Sequence, residues 1–277
     1  MGWPVSHSLS PRVHGYWLRH HSIDGAYIPI PVAPENFETA VRALPKLGLR
    51  GVNVTVPHKE AAFRAVDSTD EVARQLGAVN TIVITPEGQL EGRNTDGHGF
   101  LESLSAANTG WRADAGPAVV LGAGGAARAI VAALLGAGVT EVRLLNRTRE
   151  RAEQVAAEFA GLAAGNITIV PWEERREALA EAALLVNTTT LGMDGNPELS
   201  LPLDNLPLSA AVMDIVYKPL ETDLLAAARA RGNPAVDGLG MLLHQARPGF
   251  AAWFGADPQV TDDLRRFVLD GTGGPGA

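Results

Sequence analysis

Short apolar segments alternate with longer amphipathic segments along most of this chain, and this alternation limits the possible folds more than any other feature. In the N-terminal part it predicts strands at 26–32, 51–56 and 79–84 and helices at 35–47 and 59–66. From Pro117 onward it predicts strands at 118–121, 141–145, 167–170, 184–187 and 212–215 and helices at 125–135 and 148–159. Strands separated by helices of this length indicate parallel sheets with right-handed crossovers.

The two alternating stretches are separated by residues 106–116, a small, polar, glycine-containing segment that suits a domain boundary. After Asp237 the pattern becomes helical to about Leu269, and the last residues are rich in Gly and Pro. We therefore predict two α/β domains, 1–103 and 104–236, C-terminal helices at 237–270 and a disordered tail at 271–277.

A glycine-rich turn lies between the apolar strand 118–121 and an Ala-rich helix. It fits the pattern G-x-G-x-x-G/A and consists of Gly122, Ala123, Gly124, Gly125, Ala126 and Ala127. In such a turn the first glycine permits a tight bend, the second lets the backbone approach a pyrophosphate, and the helix N-terminus offers free N–H groups to the anion. The alternative is a turn that needs small residues only for packing. Because a strand precedes it and a helix follows it, the turn predicts a Rossmann dinucleotide-binding site.

Basic residues follow the next predicted strand, at the position that distinguishes NAD from NADP. NAD-binding proteins usually have Asp or Glu there, whereas this chain has Asn146, Arg147 and Thr148, with Arg151 close behind. A guanidinium can pair with a 2′-phosphate that a carboxylate would repel. A solvated basic helix face is the alternative interpretation, but the position at the end of a strand favours NADP.

Lys59 and Asp96 are the candidate catalytic residues. Lysine is scarce in the chain, at positions 46, 59 and 218 only, and Lys59 follows a predicted strand and a proline-containing turn. A lysine held by a carboxylate can give a proton to a ketone oxygen or take one from an alcohol. Taken singly, Lys59 could be an exposed lysine in the first turn of a helix, and Asp96 could be a helix N-cap.

A polar turn containing Ser8 and Ser10 precedes a predicted helix that starts at Pro11. Its hydroxyl groups could donate to a carboxylate without adding charge. They could equally form a turn that caps the helix, and spacing alone leaves both interpretations open.

Composition excludes several classes of function. The chain has no cysteine, so disulfides and thiolate metal sites are ruled out, and its histidines lack metal-ligand spacing, so we predict no metal. The net charge of −8 argues against nucleic-acid binding. No signal peptide and no membrane-length apolar run is present, so we expect a cytoplasmic protein that acts on a small molecule, as a monomer or a homodimer.

An ordered set of motifs resembles the shikimate dehydrogenase family from the N-terminus to the C-terminal helices. The motifs are Ser8-x-Ser10-Pro11, the run from Asn53 to Lys59 (NVTVPHK), Gly77 to Thr81 (GAVNT), Asn94 to Gly97 (NTDG), the glycine turn, Asn146-Arg147-Thr148, and Asp237 to Leu242 (DGLGML). The resemblance implies reversible, NADPH-dependent reduction of 3-dehydroshikimate to shikimate in aromatic amino-acid synthesis. It also implies an N-terminal α/β substrate domain, an NADP-binding Rossmann domain with a parallel sheet, and C-terminal helices that return to the substrate domain.

The same resemblance assigns roles to individual residues. Lys59 and Asp96 would be the catalytic pair, and the substrate would be held by Ser8, Ser10, Thr55, Asn80, Tyr217 and Gln245. The cofactor would contact Gly122, Ala123, Gly124, Gly125, Ala126, Asn146, Arg147, Thr148, Arg151, Thr188, Ile215, Gly238 and Met241.

The sequence departs from the family pattern at two places. Met1 immediately precedes Gly2-Trp3-Pro4, whereas family members begin with a short strand before this segment, so either translation starts earlier or the first sheet lacks an edge or central strand. His14-Gly15 also replaces a common His-Asn. Two other functions remain as alternatives. The first is a quinate/shikimate dehydrogenase that uses NAD or NADP, and the second is a non-catalytic NADP-binding sensor or regulator. Arg147 argues against the first, and the presence of both Lys59 and Asp96 argues against the second.

Overall fold

The computed structural model describes residues 1–6, 8–161 and 165–270 of the chain. Contacts divide the chain into two units, one formed by Met1–Asp96 with the chain from Leu242 onward and the other by Gly97–Met241. Both divisions fall inside helices, α5 (Asp96–Ala106) and α9 (Gly238–Phe254). The domain bounds 1–103, 104–236 and 237–270 stay predictions, and the predicted disordered tail at 271–277 lies outside the described residues.

The first unit contains a four-stranded sheet with helices from both ends of the chain. Its strands are β1 (Gly51–Asn53), β2 (Ser68–Thr69), β3 (Thr81–Ile84) and β4 (Leu90–Arg93), in the order β1-β3-β4-β2. Its N-terminal helices are α1 (Ser10–His20), α2 (Phe37–Ala43), α3 (Lys59–Ala65) and α4 (Glu71–Leu76). Short 3-10 turns at Pro34–Asn36 and Leu44–Leu47 flank α2, so the helix predicted at 35–47 is interrupted where Pro45 occurs.

The sheet of the first unit is mixed, and the expectation of a parallel sheet is wrong here. Strand β3 pairs antiparallel with both β1 and β4, and only β2 and β4 are parallel. The reason is the short turn between β3 and β4, in which Thr85 N donates to Gln89 O and Gly88 has a φ of 81°. A turn of this length can join only antiparallel strands.

The strand predicted at 26–32 is also wrong. The segment is extended but forms only one isolated bridge, between Gly2 and Pro31. Pro29 and Pro31 have no N–H to donate to a neighbouring strand, so the apolar pattern cannot become a regular ladder. Gly2 O instead accepts from Val32 N, and Met1 O accepts from Thr55 N. The first residues therefore lie between this segment and the chain that follows β1.

The second unit contains a six-stranded sheet in which every pair is parallel. Its strands are β5 (Ala118–Leu121), β6 (Glu141–Leu145), β7 (Asn166–Val170), β8 (Leu184–Asn187), β9 (Ala211–Asp214) and β10 (Ala235–Val236), in the order β10-β9-β8-β5-β6-β7. Helices α6 (Gly125–Gly136), α7 (Arg149–Glu158) and α8 (Asp223–Arg231) belong to the same unit. This strand order is that of a Rossmann fold, so the predicted parallel Rossmann sheet is confirmed.

The central strands of this sheet are buried along their whole length. All residues of β5, β8 and β9 are buried, which explains why their sequences are continuous apolar runs instead of alternating ones. The strand order reverses between β5 and β8. Ligands of such sheets bind beyond the carboxyl ends of the strands at this reversal, and the glycine turn follows β5 there.

The C-terminal helices pack on the first unit, as predicted. Trp253 in α9 donates its indole N–H to Ile82 O in β3 at 3.0 Å. Helix α10 (Asp262–Asp270) lies against α1, where the Arg12 guanidinium donates to Phe267 O at 2.5 Å.

Within the described part of the chain, no helix combines the length and the apolar character that crossing a membrane requires.

Candidate active site

Lys59 and Asp96 meet in the first unit although 37 residues separate them in sequence. Lys59 begins α3 after the Pro57 turn, and its backbone O accepts from Val79 N, which ties the start of the helix to the residues before β3. Its Nζ lies 2.5 Å from Oδ2 of Asp96, with side chains that are 22% and 10% exposed. The alternative of an exposed lysine is therefore wrong.

Asp96 stands at the start of α5, but it does not cap that helix. Its Oδ1 accepts from Asn80 Nδ2 at 2.8 Å and its Oδ2 accepts from Lys59. Asn94 Oδ1 accepts from Asp96 N at 3.1 Å, which forms an Asx turn just before the helix. Both carboxylate oxygens thus face side-chain donors of the site, and the N-cap interpretation of Asp96 is wrong.

Asn80 connects this pair with Gln245 of α9. Its Nδ2 donates to Asp96 Oδ1, to Thr95 Oγ1 at 3.0 Å and to Gln245 Oε1 at 3.3 Å. Its Oδ1 accepts from Thr95 N at 2.9 Å. Thr95 Oγ1 donates to the backbone O of Gln245 at 2.8 Å. The fold therefore gathers four residues predicted for the site (Lys59, Asn80, Asp96 and Gln245), together with Thr95, which was quoted in a motif but given no role.

Ser8 and Ser10 lie at the start of α1 and are half-buried. Ser8 Oγ accepts from Ser10 N at 3.3 Å, so the hydroxyl turn considered from the sequence does form. The Ser10 hydroxyl also interacts with the Tyr27 hydroxyl. Thr55 is exposed, and its backbone N and O bond to Met1 and His58.

Tyr217 belongs to the second unit and follows β9. It is half-buried, and burial raises the pKa of its hydroxyl above the usual value. The hydroxyl is therefore a neutral donor at physiological pH.

The glycine turn after β5 has the shape that a pyrophosphate site needs. Gly122 has a φ of 107°, and a Cβ there would come within 2.5 Å of Thr188 Oγ1. Gly124 and Gly125 are exposed, and among the described residues nothing lies within 4 Å of a Cβ built on either. The first N–H groups of α6 have no intrahelical acceptor, and no described side chain caps the helix, so they are available to an anion. Ala123 and Ala126 belong to the same turn.

The other predicted cofactor residues of this unit border the same sheet edge. Thr188 donates both its N–H and its hydroxyl to Leu121 O, so it holds the glycine turn. Ile215 follows β9, and its N donates to the O of Asn187, the last residue of β8. Gly238 lies against Ile215, where a Cβ would approach Ile215 O to 2.2 Å. Met241 is buried one helical turn after Gly238.

The residues after β6 leave basic groups free for an anion. The side chains of Arg147 and Arg151 are exposed and make no hydrogen bond or ion pair with other described residues, whereas Arg149 pairs with Glu153 at 2.8 Å. Thr148 is the N-cap of α7 but its hydroxyl makes no cap hydrogen bond. Asn146 Nδ2 donates to Thr148 O at 2.8 Å and so fixes the turn. Two guanidinium groups and a hydroxyl are thus available to a 2′-phosphate.

A buried carboxylate beside the cofactor edge was not predicted. Asp214, the last residue of β9, accepts from Asn187 Nδ2 at 3.0 Å, Val216 N at 3.0 Å and Thr222 Oγ1 at 2.8 Å. Burial raises its pKa, and these hydrogen bonds offset part of that shift. The signal in the sequence is that β8 and β9, both apolar, each end in a polar residue at the same edge of the sheet.

No group of side chains in the described ranges could hold a metal ion. The Rossmann sheet with its glycine turn, and the separate unit with a buried lysine–aspartate pair, together define the class of dinucleotide-dependent oxidoreductases.

Comparison with known proteins identifies the family. Residues 1–82 match the shikimate dehydrogenase substrate binding domain, and residues 105–192 match the shikimate / quinate 5-dehydrogenase family. The chain is 62% identical over 269 residues to the shikimate dehydrogenase (NADP(+)) of Paramagnetospirillum magneticum, which covers 97% of this chain and 96% of that protein. The chain belongs to the shikimate dehydrogenase family.

Two solved structures have the same fold. Shikimate 5-dehydrogenase from Thermus thermophilus, in complex with NADP(H) and shikimate, is 39% identical with a TM-score of 0.85, over 97% of each chain. Quinate dehydrogenase from Corynebacterium glutamicum, in complex with NAD, is 30% identical with a TM-score of 0.90, over 97% of this chain and 96% of that one.

Proposed function

We propose that Lys59 and Asp96 are the catalytic pair with which this family member interconverts 3-dehydroshikimate and shikimate. The family establishes an NADP-dependent oxidoreductase that acts on a CH–OH group, as predicted. The observation that carries the proposal for the pair is the 2.5 Å contact between a largely buried ammonium and a largely buried carboxylate. A stabilising surface ion pair would not need this burial.

Lys59 handles the proton of the reaction. Reduction of a ketone adds a hydride to carbon and a proton to oxygen, and NADPH supplies the hydride when it is bound. The ammonium has three N–H donors and directs one of them to Asp96 Oδ2, so another can donate to the carbonyl oxygen. In the reverse direction the neutral amine takes the proton of the alcohol.

Asp96 keeps this ammonium in place. Its second oxygen is held by Asn80, so the carboxylate cannot rotate away from Lys59 without losing a hydrogen bond. A catalytic group fixed in this way needs little reorganisation during the reaction.

The substrate residues complete the site of the first unit. Ser8 and Ser10 offer hydroxyl donors to the carboxylate of the substrate, and Thr55, Asn80 and Gln245 offer donors and acceptors to its ring hydroxyls. Tyr217, in the second unit, is a neutral hydroxyl donor, the kind of group from which a substrate carboxylate accepts a hydrogen bond.

The second unit binds the cofactor. The backbone from Gly122 to Ala126 accommodates the pyrophosphate, and Arg147, Thr148 and Arg151 hold the 2′-phosphate while Asn146 fixes their turn. Thr188, Ile215, Gly238 and Met241 border the nicotinamide. These residues fit NADP because the side chains of Arg147 and Arg151 have no acidic partner among the described residues.

An absorbance assay of the purified protein tests the proposal directly. Shikimate and quinate are each offered with NADP and with NAD, and formation of the reduced cofactor is followed. We expect shikimate with NADP to be the preferred pair. Preference for quinate with NAD would contradict it and favour the activity of the Corynebacterium glutamicum structure. A protein that binds NADP but turns over neither substrate would favour a sensor. Oligomeric state and a cytoplasmic location stay predictions.

A further inference from the structure

A continuous chain of side-chain hydrogen bonds runs from Tyr27 to the catalytic carboxylate. Tyr27 Oη donates to Asn53 Oδ1 at 2.8 Å, and Asn53 Nδ2 donates to Thr81 Oγ1 at 3.0 Å. Thr81 Oγ1 donates to Asn80 Oδ1 at 3.0 Å, and Asn80 Nδ2 donates to Asp96 Oδ1 at 2.8 Å. Five side chains are thus linked, and each donates a hydrogen bond to the next, from Tyr27 to Asp96. Thr81 and Asn80 are almost fully buried.

Two backbone groups fix the direction of this chain. The Asn80 carbonyl can only accept, and it accepts from Asn53 Nδ2 at 3.2 Å, so Asn53 must turn its Oδ1 to Tyr27. The backbone N of Thr95 can only donate, and it donates to Asn80 Oδ1 at 2.9 Å. Asn80 must therefore present its amide N–H groups to Asp96. Thr81 Oγ1 accepts a hydrogen bond from Asn53 Nδ2, so its own hydroxyl hydrogen is left to donate to Asn80 Oδ1.

Tyr27 is the terminal donor of the chain, and its surroundings keep it in that role. Its ring stacks on His14 with centroids 4.1 Å apart and an interplanar angle of 2°. Burial raises the pKa of the Tyr27 hydroxyl, so it stays protonated at physiological pH, and the Ser10 hydroxyl offsets part of that shift. Tyr27 thus contacts a residue at the proposed carboxylate end of the substrate and begins the chain that reaches Asp96.

We propose that Tyr27 is a positioning residue for the reaction, which acts on Asp96 through Asn53, Thr81 and Asn80. Removal of its hydroxyl takes away the donor to Asn53 Oδ1, so the Asn53 side chain is held only through its Nδ2, by Asn80 O and Thr81 Oγ1. The Asn53 amide keeps its orientation but is fixed less firmly, so its hydrogen bond to Thr81 weakens and Asn80 holds Asp96 less firmly. This inference rests on the proposed function of Lys59 and Asp96.

The experiment compares steady-state shikimate oxidation in Tyr27→Phe, Thr81→Val and the double variant. Tyr16→Phe is the matched control, since Tyr16 lies in α1 and makes ring contacts with His20 and Phe267 outside the chain. We expect kcat to fall about fivefold in Tyr27→Phe, which corresponds to one hydrogen bond, with NADPH affinity unchanged. The double variant should be no slower than Thr81→Val alone, because both changes break the same chain. Thr81→Ser should recover most of the rate that Thr81→Val loses.

The possible outcomes separate this inference from the proposed function. A wild-type protein inactive on shikimate would overturn both. An active wild type in which Tyr27→Phe equals Tyr16→Phe would overturn only the role of Tyr27. A double variant whose loss is the product of the two single losses would show that Tyr27 acts independently of Thr81, and would also overturn it. A change confined to the KM for shikimate would likewise overturn the role of Tyr27 in positioning Asp96. It would show that Tyr27 acts only on substrate binding, through its contact with Ser10.

Discussion

Lys59 Nζ donates to Asp96 Oδ2 at 2.5 Å, while the other oxygen of the carboxylate accepts from Asn80. The position of the Lys59 ammonium is therefore determined by the Asp96 carboxylate, whose other oxygen, Oδ1, is itself held by Asn80. Lys59 belongs to the start of α3 and Asp96 to the start of α5, so two helix termini and the residue before a strand meet at this point.

Replacement of Lys59 by Ala removes the proposed proton donor. We expect kcat to fall by roughly three orders of magnitude, which is within the range for loss of a general acid–base, and the KM for shikimate to change much less. Initial rates of NADPH formation measure this. Lys46→Ala is the control, since Lys46 is exposed, and it should be as active as wild type. Equal losses in the two variants would contradict the assignment.

Replacement of Asp96 by Asn keeps the shape of the side chain but removes its charge. The ammonium of Lys59 would lose its counter-ion, so we expect kcat to fall by about two orders of magnitude. Isothermal titration should show nearly unchanged NADPH binding. Asp24→Asn, at an exposed position, is the control. If Asp96→Asn abolished cofactor binding, Asp96 would belong to the fold instead of the chemistry.

Arg147→Ala tests the cofactor preference. Arg147 is exposed and unpaired within the described chain, so its removal should weaken NADP binding by about tenfold and leave NAD binding almost unchanged. Arg149→Ala is a matched control, because Arg149 is engaged with Glu153. The ratio of kcat/KM for NADP and NAD measures the effect. An unchanged ratio in Arg147→Ala would remove Arg147 from the 2′-phosphate site.

Two glycines of the same turn should respond differently to Ala. In Gly122→Ala the new methyl group meets Thr188 Oγ1 at 2.5 Å and the backbone has a φ of 107°, so thermal unfolding should show a lower Tm. In Gly124→Ala the backbone is extended and the space around it is open, so Tm should stay the same.

Gly124→Ala should nevertheless bind NADP more weakly, because its methyl group occupies the space that we assign to the pyrophosphate. Titration of NADP against both variants checks this. Normal NADP affinity in Gly124→Ala would show that the pyrophosphate does not approach this residue.

His14 gives a pH dependence of stability. It is fully buried, neither ring nitrogen has a hydrogen-bond partner in the described structure, and burial lowers its pKa to about 3 despite the nearby Asn53 side chain. The pKa in the folded state lies below the ordinary value of 6.5, so the unfolded chain binds the proton more readily. Stability is therefore complete above about pH 6.5 and falls as the pH decreases from there toward about 3.

We expect this single group to cost about 2 kcal/mol of unfolding free energy between about pH 7 and about pH 5. Urea unfolding at the two pH values measures the cost, and the difference should shrink by about this amount in His14→Phe. The Met1 amine, whose pKa burial lowers from 8.0 to about 6, adds a pH dependence of the same sign that stays in this variant. His20→Phe, at an exposed position of the same helix, should keep the full difference. A difference in His14→Phe as large as that of the wild type would assign the pH effect to other groups.

The central strands of the second unit could be predicted from the sequence because β5, β8 and β9 are buried on both faces and are therefore continuous apolar runs, whereas β10 and α8 were not predicted. The strands 118–121, 141–145 and 184–187 have the predicted bounds. The first unit was harder to predict. Its strands are short, and β2 and β4 carry few apolar residues, so nothing local distinguishes them from loops.

The site could be predicted only as far as its residues lie in motifs. Lys59 and Asp96 were chosen from motifs, and the fold brings them together, but no periodicity indicates that Tyr27 reaches Asn53 or that Asp214 reaches Thr222. Such contacts depend on how distant segments pack. Tyr27 lies in a segment whose prolines prevent a regular strand, so even its local structure was predicted incorrectly.

The carboxylate of Asp214 receives donors from three segments that end at one edge of the parallel sheet: the end of β8, the chain after β9 and the N-cap of α8. A single side chain thus ties those segments together, in addition to the pairing of β8 with β9. We therefore expect the backbone at this edge to keep its path when neighbouring side chains that face a ligand are replaced.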